Sequence, residues 1–299
     1  MITVIIPTRD RPADLLACLA GLACQDSRSL LSRIVVVDDN SRRPYGDLIT
    51  RFAAESGAPV ISPADFAGRG AADARNHGCR YAVGEIIAFL DDDAIPAANW
   101  LRVIATHMKK AEVSAITGRI LPLDEQKLFS RARQLRYELR QRNALAQEGP
   151  VSFLAGGNSA IRRADFENLG GFNTAFTAMH DQELVLRLRK ENKHCFYVHD
   201  LLIRHRHYKG LKLALTQSFR SAYYRLQLER SYSHLQRWSP RGQLRGFSAI
   251  MNASRSDPNL TMPALVAAFT EMVHSCGYLW YKSSDRFRRN NGKCDREIS

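Results

Sequence analysis

The sequence lacks paired cysteines and the motifs of several common cofactor sites. Its six cysteines are scattered without a C-x-x-C pair, which favours reduced thiols over a disulfide framework or a zinc site. No G-x-G-x-x-G follows the first predicted strand and no G-x-x-x-x-G-K-[ST] occurs, which argues against a dinucleotide cofactor and a P-loop. No apolar run reaches the length of a membrane-spanning helix. A core strand is predicted directly after Met1, so we expect no secretory signal and a cytoplasmic location.

Positive charge is concentrated in the last third of the chain. Residues 201–299 hold 17 Lys and Arg against 6 Asp and Glu, whereas residues 1–200 hold 26 against 24. Apolar and aromatic residues are interleaved with basic ones over residues 210–238, and residues 263–280 form a second apolar stretch. A basic amphipathic helix of this kind predicts peripheral contact with the inner face of a membrane. Two helices packed on the rest of the protein, with solvated basic faces, are the alternative.

Three short apolar runs, each followed by polar residues, predict buried strands of one sheet. They cover residues 2–6, 33–37 and 86–90. Apolar residues recur at helical spacing over residues 12–22, between the first two runs. The order strand, helix, strand is typical of a right-handed βαβ unit. We therefore predict an α/β protein with a mostly parallel, Rossmann-like sheet flanked by helices.

The third of these strands ends in three consecutive carboxylates, Asp91, Asp92 and Asp93. Adjacent like charges repel one another and lose solvation, so a cation usually compensates them, and oxygen ligands suit Mg²⁺ or Mn²⁺. Ligands of open α/β sheets bind just beyond the carboxyl ends of the strands. The triplet therefore predicts a metal site with a bound phosphate, and an acidic turn exposed to water is the alternative.

Several motifs follow one another in a recognisable order. They are Ile6-Pro7-Thr8-Arg9, Val37-Asp38-Asp39-Asn40-Ser41, Ala74-Arg75-Asn76-His77-Gly78, Gly84-Glu85 before Leu90-Asp91-Asp92-Asp93, Ala155-Gly156-Gly157-Asn158-Ser159, and Gly170-Gly171-Phe172-Asn173 before His180-Asp181-Gln182-Glu183-Leu184. Together they resemble the family 2 glycosyltransferases, which have the GT-A fold and use nucleoside-diphosphate sugars. The resemblance covers roughly residues 1–208.

The resemblance and the charge distribution together imply a domain organisation. Residues 1–208 would form the catalytic domain, with a nucleotide-binding half over residues 1–100 and an acceptor-binding half over residues 101–208. A basic helical extension would follow over residues 209–282. The polar residues 283–299 would be disordered.

The first half would then bind the donor. Asp93 would be the main metal ligand, with Asp91 or Asp92 on the ribose hydroxyls or a metal-bound water. A departing diphosphate needs a Lewis acid, here Mn²⁺ or Mg²⁺. Asp39 would accept the ring N–H of uracil or thymine, and a plain Asx turn is its alternative. Arg75 would bind the nucleotide or Asp39, unless it forms a structural ion pair. The base pocket would be flanked by Pro7, Thr8 and Arg9.

The second half would supply the acceptor side. Asp181 is the candidate general base at the start of a predicted helix, where simple capping is the alternative. The residue before it is His180, where the family usually has an acid. Glu183 would assist catalysis or pair with Arg187 one turn further along.

A glycine loop and a His-x-His segment complete the predicted site. Gly156 and Gly157 permit close backbone approach to a sugar or a diphosphate, and Asn158 follows them; an ordinary tight turn is the alternative. His205 is the first choice for completing the metal shell or touching the diphosphate, and His207 is the second.

The sequence therefore predicts an inverting glycosyltransferase. It would move a sugar from a nucleoside diphosphate, with UDP or dTDP favoured by Asp39, to a hydroxyl of a cell-envelope glycan or lipid-linked acceptor. A nucleotidyltransferase of similar fold is one alternative, and it would release pyrophosphate. A basic nucleic-acid-binding protein is another, for which Arg220, Arg225 and Arg230 would matter more than Asp93, although we recognise no groove-reading module.

Overall fold

The described chain forms two compact units. The computed structural model describes residues 1–146, 149–206, 210–232, 247–252 and 258–290. Unit 1 consists of Met1–Asp124 and Arg140–Arg206, and unit 2 consists of Glu125–Leu139 and the described part of His207–Ser299. The predicted boundary at residue 208 lies outside the described residues, and part of the predicted catalytic domain, Glu125–Leu139, groups with unit 2 instead.

Unit 1 alternates strands and helices along the chain. Its elements are β1 (Ile2–Thr8), α1 (Pro12–Ala23), a 3₁₀ turn (Arg28–Leu30), β2 (Leu31–Asp38), α2 (Gly46–Ser56), β3 (Val60–Ile61), α3 (Ala71–Cys79), β4 (Ile86–Leu90), β5 (Ala94–Pro96), α4 (Trp100–Met108), β6 (Val113–Pro122), the second part of α5 (Leu128–Ala146), β7 (Asn158–Arg162), α6 (Arg163–Asn168), α7 (His180–Lys190) and β8 (His194–His205).

The strands of unit 1 form one sheet in the order β3-β2-β1-β4-β7-β6-β8-β5. The first four are parallel, β7 runs antiparallel to β4 and β6, and β8 is parallel to β6 and antiparallel to β5. The predicted α/β class and the three predicted strands are confirmed. Antiparallel β7 inserts beside β4, so the sheet is mixed beyond that strand.

Burial explains why these runs become strands and helices. Every residue of β1 is buried, as expected for a strand covered on both faces. Helix α1 buries the apolar side predicted from its spacing, namely Leu15, Cys18, Leu19 and Leu22. Phe89 of β4 packs against Phe166 and Phe172, with ring centroids 5.5 and 5.0 Å away. These contacts fix α6 and the segment before α7 on the sheet.

Unit 2 is helical. It contains the first part of α5, α8 (Leu211–Ser231), residues 247–252, a 3₁₀ turn (Pro258–Leu260) and α9 (Thr261–Asn290). Ala222, Leu226 and Tyr278 are buried between α8 and α9. A Cβ atom on Gly277 would lie 2.8 Å from the ring of Phe219, so glycine is needed for this close approach.

The C-terminal end corrects one prediction. Helix α9 continues to Asn290, although disorder was expected from residue 283. Extending an existing helix needs no new nucleus, and the basic residues in this stretch are good helix formers. Residues 291–299 lie outside the described part. Within that part, no helix combines the length and the apolarity needed to cross a bilayer.

Candidate active site at the carboxyl ends of the strands

The carboxyl ends of β1, β2 and β4 meet at one edge of the sheet, because β1 pairs in parallel with both neighbours. Thr8 ends β1 opposite Asp38 of β2. The acidic triplet follows β4 and precedes β5. The segments predicted to bind the donor are therefore neighbours in space.

Asp91, Asp93 and His205 converge at this edge. One oxygen or nitrogen atom from each lies within 4.8 Å of the others. Strand β5 pairs with β8 and places Ala94 opposite His205, which brings the imidazole next to the triplet. His205 Nε2 lies 3.1 Å from Asp93 Oδ1 and 3.5 Å from Asp91 Oδ2. Two carboxylates and an imidazole form a donor set that Mn²⁺ accepts, so the predicted ligands fit a divalent metal.

The carboxylates change the protonation of His205. Burial acts to lower the pKa of His205, but hydrogen bonds to Asp91 and Asp93 outweigh it and raise the pKa to about 10. Without a metal, the ring is therefore a cation at neutral pH. It partly neutralises the two carboxylates.

Arg11 is a second cation at the triplet. Its Nη1 donates to Asp93 Oδ2 at 2.7 Å and to Asp92 Oδ1 at 3.0 Å. The side chain stays about half exposed, at 49%. An exposed guanidinium on a loop can leave its carboxylates when another cation or an anionic ligand arrives. Sequence reasoning missed this residue, although its place between β1 and α1 was a usable signal.

Asp92 is held inside the site by Thr8. The hydroxyl of Thr8 donates to Asp92 Oδ2 at 2.8 Å. Burial raises the pKa of Asp92 to about 6, against the opposing charge of Arg11. Thr8 and Pro7 are both buried, whereas Arg9 is exposed. The side chain of Thr8 supports the strand end, and the position of Pro7, Thr8 and Arg9 beside the nucleotide stays a prediction.

Arg75 links the triplet to helix α7. Its Nη2 donates to Asp91 Oδ1 at 2.6 Å, and its Nη1 lies 3.0 Å from His180 Nε2. Burial acts to raise the pKa of Asp91, but the hydrogen bond from His205 and the charge of Arg75 hold it below its ordinary range. The structure shows the ion pair that was the alternative for Arg75, and its contact with the nucleotide stays a prediction.

His180 is a neutral partner in this arrangement. Burial and the charge of Arg75 lower its pKa to about 4. Since the guanidinium donates to Nε2, the ring proton belongs on Nδ1. An acid at this position would form a second ion pair with Arg75. The neutral His180 instead leaves the full charge of Arg75 facing Asp91.

Asp39 lies at the end of β2, where the nucleotide base was predicted. Its Oδ1 accepts a hydrogen bond from the backbone N–H of Gly70 at 3.0 Å. Within the described chain, its Oδ2 has no hydrogen-bond donor. One oxygen therefore fixes the side chain and the other can accept a ring N–H.

The two-glycine loop packs directly on the acids. A Cβ atom at residue 157 would lie 2.1 Å from Asp91 Oδ2, so only glycine fits there. The backbone N–H of Gly156 donates to Asp181 Oδ2 at 3.3 Å. Asp91 and Asp181 therefore flank adjacent residues of one short loop.

Asn158 directly follows the two glycines of this loop. It is fully buried, and its Nδ2 donates to the carbonyls of Leu201 and Arg119 at 2.8 and 2.9 Å. Its Oδ1 accepts from Trp100 Nε1 at 2.9 Å. Every polar atom of the side chain thus joins β7 to β6, β8 and α4. Asn158 anchors the loop in this way, and its predicted contact with the donor stays a prediction.

Asp181 lies in the first turn of α7. The turn begins after Met179, which has a left-handed backbone at φ +62°. Asp181 Oδ1 accepts from the N–H of Gln182 at 2.9 Å, so both oxygens are oriented by backbone donors. The side chain remains partly exposed.

Glu183 has a different fate from Asp181. Arg187 forms a bidentate salt bridge with Glu183. Its Nε donates to Oε1 at 2.9 Å, and its Nη2 donates to Oε2 at 2.7 Å. The same guanidinium donates to the carbonyls of Leu169 and Gly171. Glu183 is buried, so the structure favours the ion pair over the predicted catalytic role.

The family follows from a direct match. The model for "Glycosyl transferase family 2" matches residues 3–170, more than half of the chain. This chain belongs to glycosyl transferase family 2. The predicted resemblance is confirmed.

The family 2 chain is similar to curated glycosyltransferases. It is 28% identical over 221 residues to the Pre-mycofactocin glycosyltransferase of Mycobacterium tuberculosis, covering 71% of this chain and 44% of that protein. It is 24% identical over 215 residues to the Validoxylamine A glucosyltransferase of Streptomyces hygroscopicus, covering 63% and 47%. The chain spans about half the length of the curated relatives it matches.

Solved structures show the same GT-A fold. The mannosyltransferase PcManGT from Pyrobaculum calidifontis, in complex with GDP-Man and Mn²⁺, matches with a TM-score of 0.67 at 19% identity, covering 94% of this chain and 87% of that one. S. aureus TarS 1-349 in complex with UDP-GlcNAc matches with a TM-score of 0.54 at 14% identity, covering 99% and 93%. The predicted GT-A fold of the family 2 chain is confirmed.

One predicted site residue of the family 2 chain is outside the structure. His207 falls among the residues that are not described, so His205 is the histidine available for comparison. Sequence reasoning missed two hydrogen-bond partners in the site. They are Arg11, which donates to the triplet, and His180, which accepts from Arg75. Their roles depend on which elements meet in space.

Proposed function

We propose that this chain is a metal-dependent inverting glycosyltransferase. It would move a sugar from a nucleoside-diphosphate sugar to a hydroxyl of a glycan or a lipid-linked acceptor, the latter at the inner face of a membrane. The observation that carries the proposal is the placement of one loop, Gly156-Gly157, between the Asp91–Asp93–His205 cluster and Asp181. A leaving-group site and a proton acceptor would then contact adjacent residues of the same loop.

The donor would bind along the edge of the sheet. Asp91, Asp93 and His205 would hold Mn²⁺ or Mg²⁺, and the imidazole favours Mn²⁺. A bound ion would stabilise the charge that develops on the departing diphosphate. Asp39 Oδ2 would accept the ring N–H of uracil or thymine, which favours UDP or dTDP. Similar structures were solved with GDP-Man and with UDP-GlcNAc, so fold similarity alone does not choose the base.

Arg11 supports the diphosphate. Its guanidinium rests on Asp92 and Asp93 and is half exposed. A diphosphate at the triplet would compete with these carboxylates for the same N–H groups. Arg11 would then hold the phosphates and exclude water from the triplet.

Asp181 would be the general base. The N–H groups of Gln182 and Gly156 hold its carboxylate in one orientation beside the loop. It would take the proton of the acceptor hydroxyl as that oxygen attacks the anomeric carbon from the face opposite the diphosphate. Glu183 is held by Arg187, so α7 offers Asp181 as the carboxylate able to accept a proton. A single base is what direct displacement with inversion requires.

The reaction products test the proposal. The full chain is incubated with Mn²⁺ and UDP-, dTDP- or GDP-sugars, where water or an added glycan hydroxyl accepts the sugar, and nucleoside diphosphate is quantified. A parallel reaction holds nucleoside triphosphates and sugar 1-phosphates, and pyrophosphate is quantified there. We expect nucleoside diphosphate release that needs Mn²⁺ and is lost in Asp93→Asn, together with a Mn²⁺-dependent thermal shift by the matching nucleotide. Asp200→Asn, a change at an exposed aspartate of β8, is the matched control. Release of pyrophosphate would instead support the nucleotidyltransferase alternative.

A further inference from the structure

The outward side of helix α9 is apolar. All exposed side chains between residues 262 and 280 are uncharged and hydrophobic, whereas a helix on a protein surface normally exposes polar residues. The spacing is three or four residues, except between the last two, which are adjacent, and this places them on one face. They are Met262, Leu265, Phe269, Met272, Cys276, Leu279 and Trp280.

This face, here called the α9 stripe, is extensive. It runs for about 27 Å at 1.5 Å per residue. Met272 is 52% exposed and Trp280 is 56% exposed. A row of exposed apolar side chains on one helix face is typical of contacts with proteins or membranes. In unit 1, by contrast, exposed apolar side chains such as Val83 and Leu145 occur far apart in the sequence.

Helix α8 adds aromatic and basic groups beside the stripe. The Phe219 ring lies 5.9 Å from that of Trp280 and 5.0 Å from that of Tyr281. Phe219, Tyr223 and Tyr281 line a cavity of about 560 Å³, and Arg220 stands beside it. Lys212 and Arg220 are exposed, and neither forms an ion pair with a described residue. Arg220 thus borders an apolar and aromatic surface, and Lys212 lies near the start of the same helix.

We infer that the α9 stripe and the outward side of α8 dock on a bilayer leaflet containing anionic phospholipid. Tryptophan and tyrosine favour the boundary between headgroups and acyl chains, because one end of each ring system is apolar and the other polar. Exposed Lys and Arg next to them attract anionic headgroups. The inference concerns unit 2 alone and does not require the transfer reaction.

Charge argues against a second copy as the occupant. Residues 201–299 hold 17 basic against 6 acidic residues, so two such segments would repel each other. An anionic leaflet instead gains from the same charge. A neutral or acidic protein would also fit the stripe, and the vesicle experiment distinguishes this occupant from lipid.

Vesicle flotation of the full chain tests the apolar contact. Vesicles of phosphatidylcholine alone are compared with vesicles that also contain phosphatidylglycerol, at low and high salt. We expect binding to the anionic vesicles that weakens with salt, and at least about a tenfold loss of binding in Phe269→Gln/Met272→Gln. The matched control Val83→Gln/Leu145→Gln removes two exposed apolar side chains of unit 1 and should bind like the parent.

A second pair of variants tests the charges. Lys212→Gln/Arg220→Gln should weaken binding to anionic vesicles about tenfold and leave the weak binding to neutral vesicles unchanged. Arg80→Gln/Arg189→Gln removes two exposed arginines of unit 1 and serves as the control. Equal binding of the parent to neutral and anionic vesicles would overturn the anionic part of the inference.

Tryptophan fluorescence reports the depth of the contact. Trp280 emission should shift to shorter wavelength when anionic vesicles are added, and Trp280→Phe should abolish the shift although Trp100 and Trp238 remain. Absence of vesicle binding overturns the inference. So does a dimer in light scattering that Phe269→Gln/Met272→Gln dissociates while vesicles have no effect, because the stripe would then join two copies.

Discussion

Two groups of carboxylates in unit 1 contrast sharply: the triplet after β4 and the pair at the start of α7. At the triplet, Asp92 and Asp93 share the half-exposed Arg11, and Asp93 also faces the titratable ring of His205. In α7, both oxygens of Glu183 are held by one guanidinium, that of Arg187. Asp92 and Asp93 have exchangeable counter-ions, whereas Glu183, like Asp91 with its buried Arg75, has a permanent one.

Asp181 stands between these extremes. It lies two residues before Glu183 on the same helix, yet its partners are backbone N–H groups instead of a cation. A proton arriving on Asp181 would displace no ion pair, whereas a proton on Glu183 would leave Arg187 without its counter-charge. The partner of a carboxylate, more than its place in the sequence, therefore indicates whether it has a catalytic or a structural role.

Removing the proposed base gives the largest expected effect. Asp181→Asn keeps the shape of the side chain and one of its two backbone hydrogen bonds, but it cannot accept a proton. We expect kcat to fall about a thousandfold, with the donor Kd nearly unchanged. Single-turnover kinetics and calorimetry measure the two quantities. Glu191→Gln, at the exposed far end of α7, is the control; a variant Asp181→Asn with full kcat would remove Asp181 from the mechanism.

Breaking the permanent pair should affect folding instead of catalysis. Glu183→Gln leaves the Arg187 charge in a mostly buried place, and we expect the free energy of unfolding to fall by about 3 kcal/mol. Chemical denaturation measures it. Glu167→Gln breaks another i,i+4 pair, with Arg163, that is exposed, and should cost under about 1 kcal/mol. If both variants were equally stable, the buried salt bridge would not be the stabilising contact described here.

Removing an exchangeable partner should affect the ion. Asp93→Asn deletes one proposed ligand charge, and we expect Mn²⁺-dependent binding of the nucleoside diphosphate to weaken about a hundredfold. Titration calorimetry with Mn²⁺ and with EDTA separates the metal-dependent part. In EDTA the variant and parent should bind alike; loss of binding in EDTA as well would point to a structural defect.

The smallest expected effect is a pH slope. The two carboxylates raise the pKa of His205 to about 10, so the metal-free protein carries this proton below that pH. A metal needs the neutral ring, and each ion bound would release one proton. Mn²⁺ affinity should therefore rise about tenfold per pH unit between pH 6 and 8. His205→Asn should flatten the slope, and a flat profile in the parent would exclude His205 as a ligand.

Sequence reasoning located the acids and the Arg187 partner of Glu183, but not Arg11 at the triplet or His180 beside Arg75. The apolar runs before Asp39 and Asp91 identify strands, and parallel pairing then brings their ends together without further information. His205 was found through resemblance, and its convergence with the triplet depends on the pairing of β5 with β8. Local spacing does not report such long-range pairings.

The hydrogen-bond and ion-pair partners of Asn158 and Glu183 bear on roles that the sequence left open. Asn158 follows two glycines and resembles a binding residue, but three buried elements use its whole amide. Glu183 was compatible with catalysis or with Arg187, and burial favours the ion pair. In each case the deciding quantity is desolvation, which one-dimensional patterns do not contain.

Residue 157 illustrates how a position without functional atoms can govern a reaction. Any side chain there would overlap the carboxylate of Asp91 and force it to rotate or withdraw. A larger residue at position 157 would therefore require compensating changes at the acids that it faces. In a saturation-mutagenesis screen for sugar transfer, we expect position 157 to tolerate glycine and few other residues.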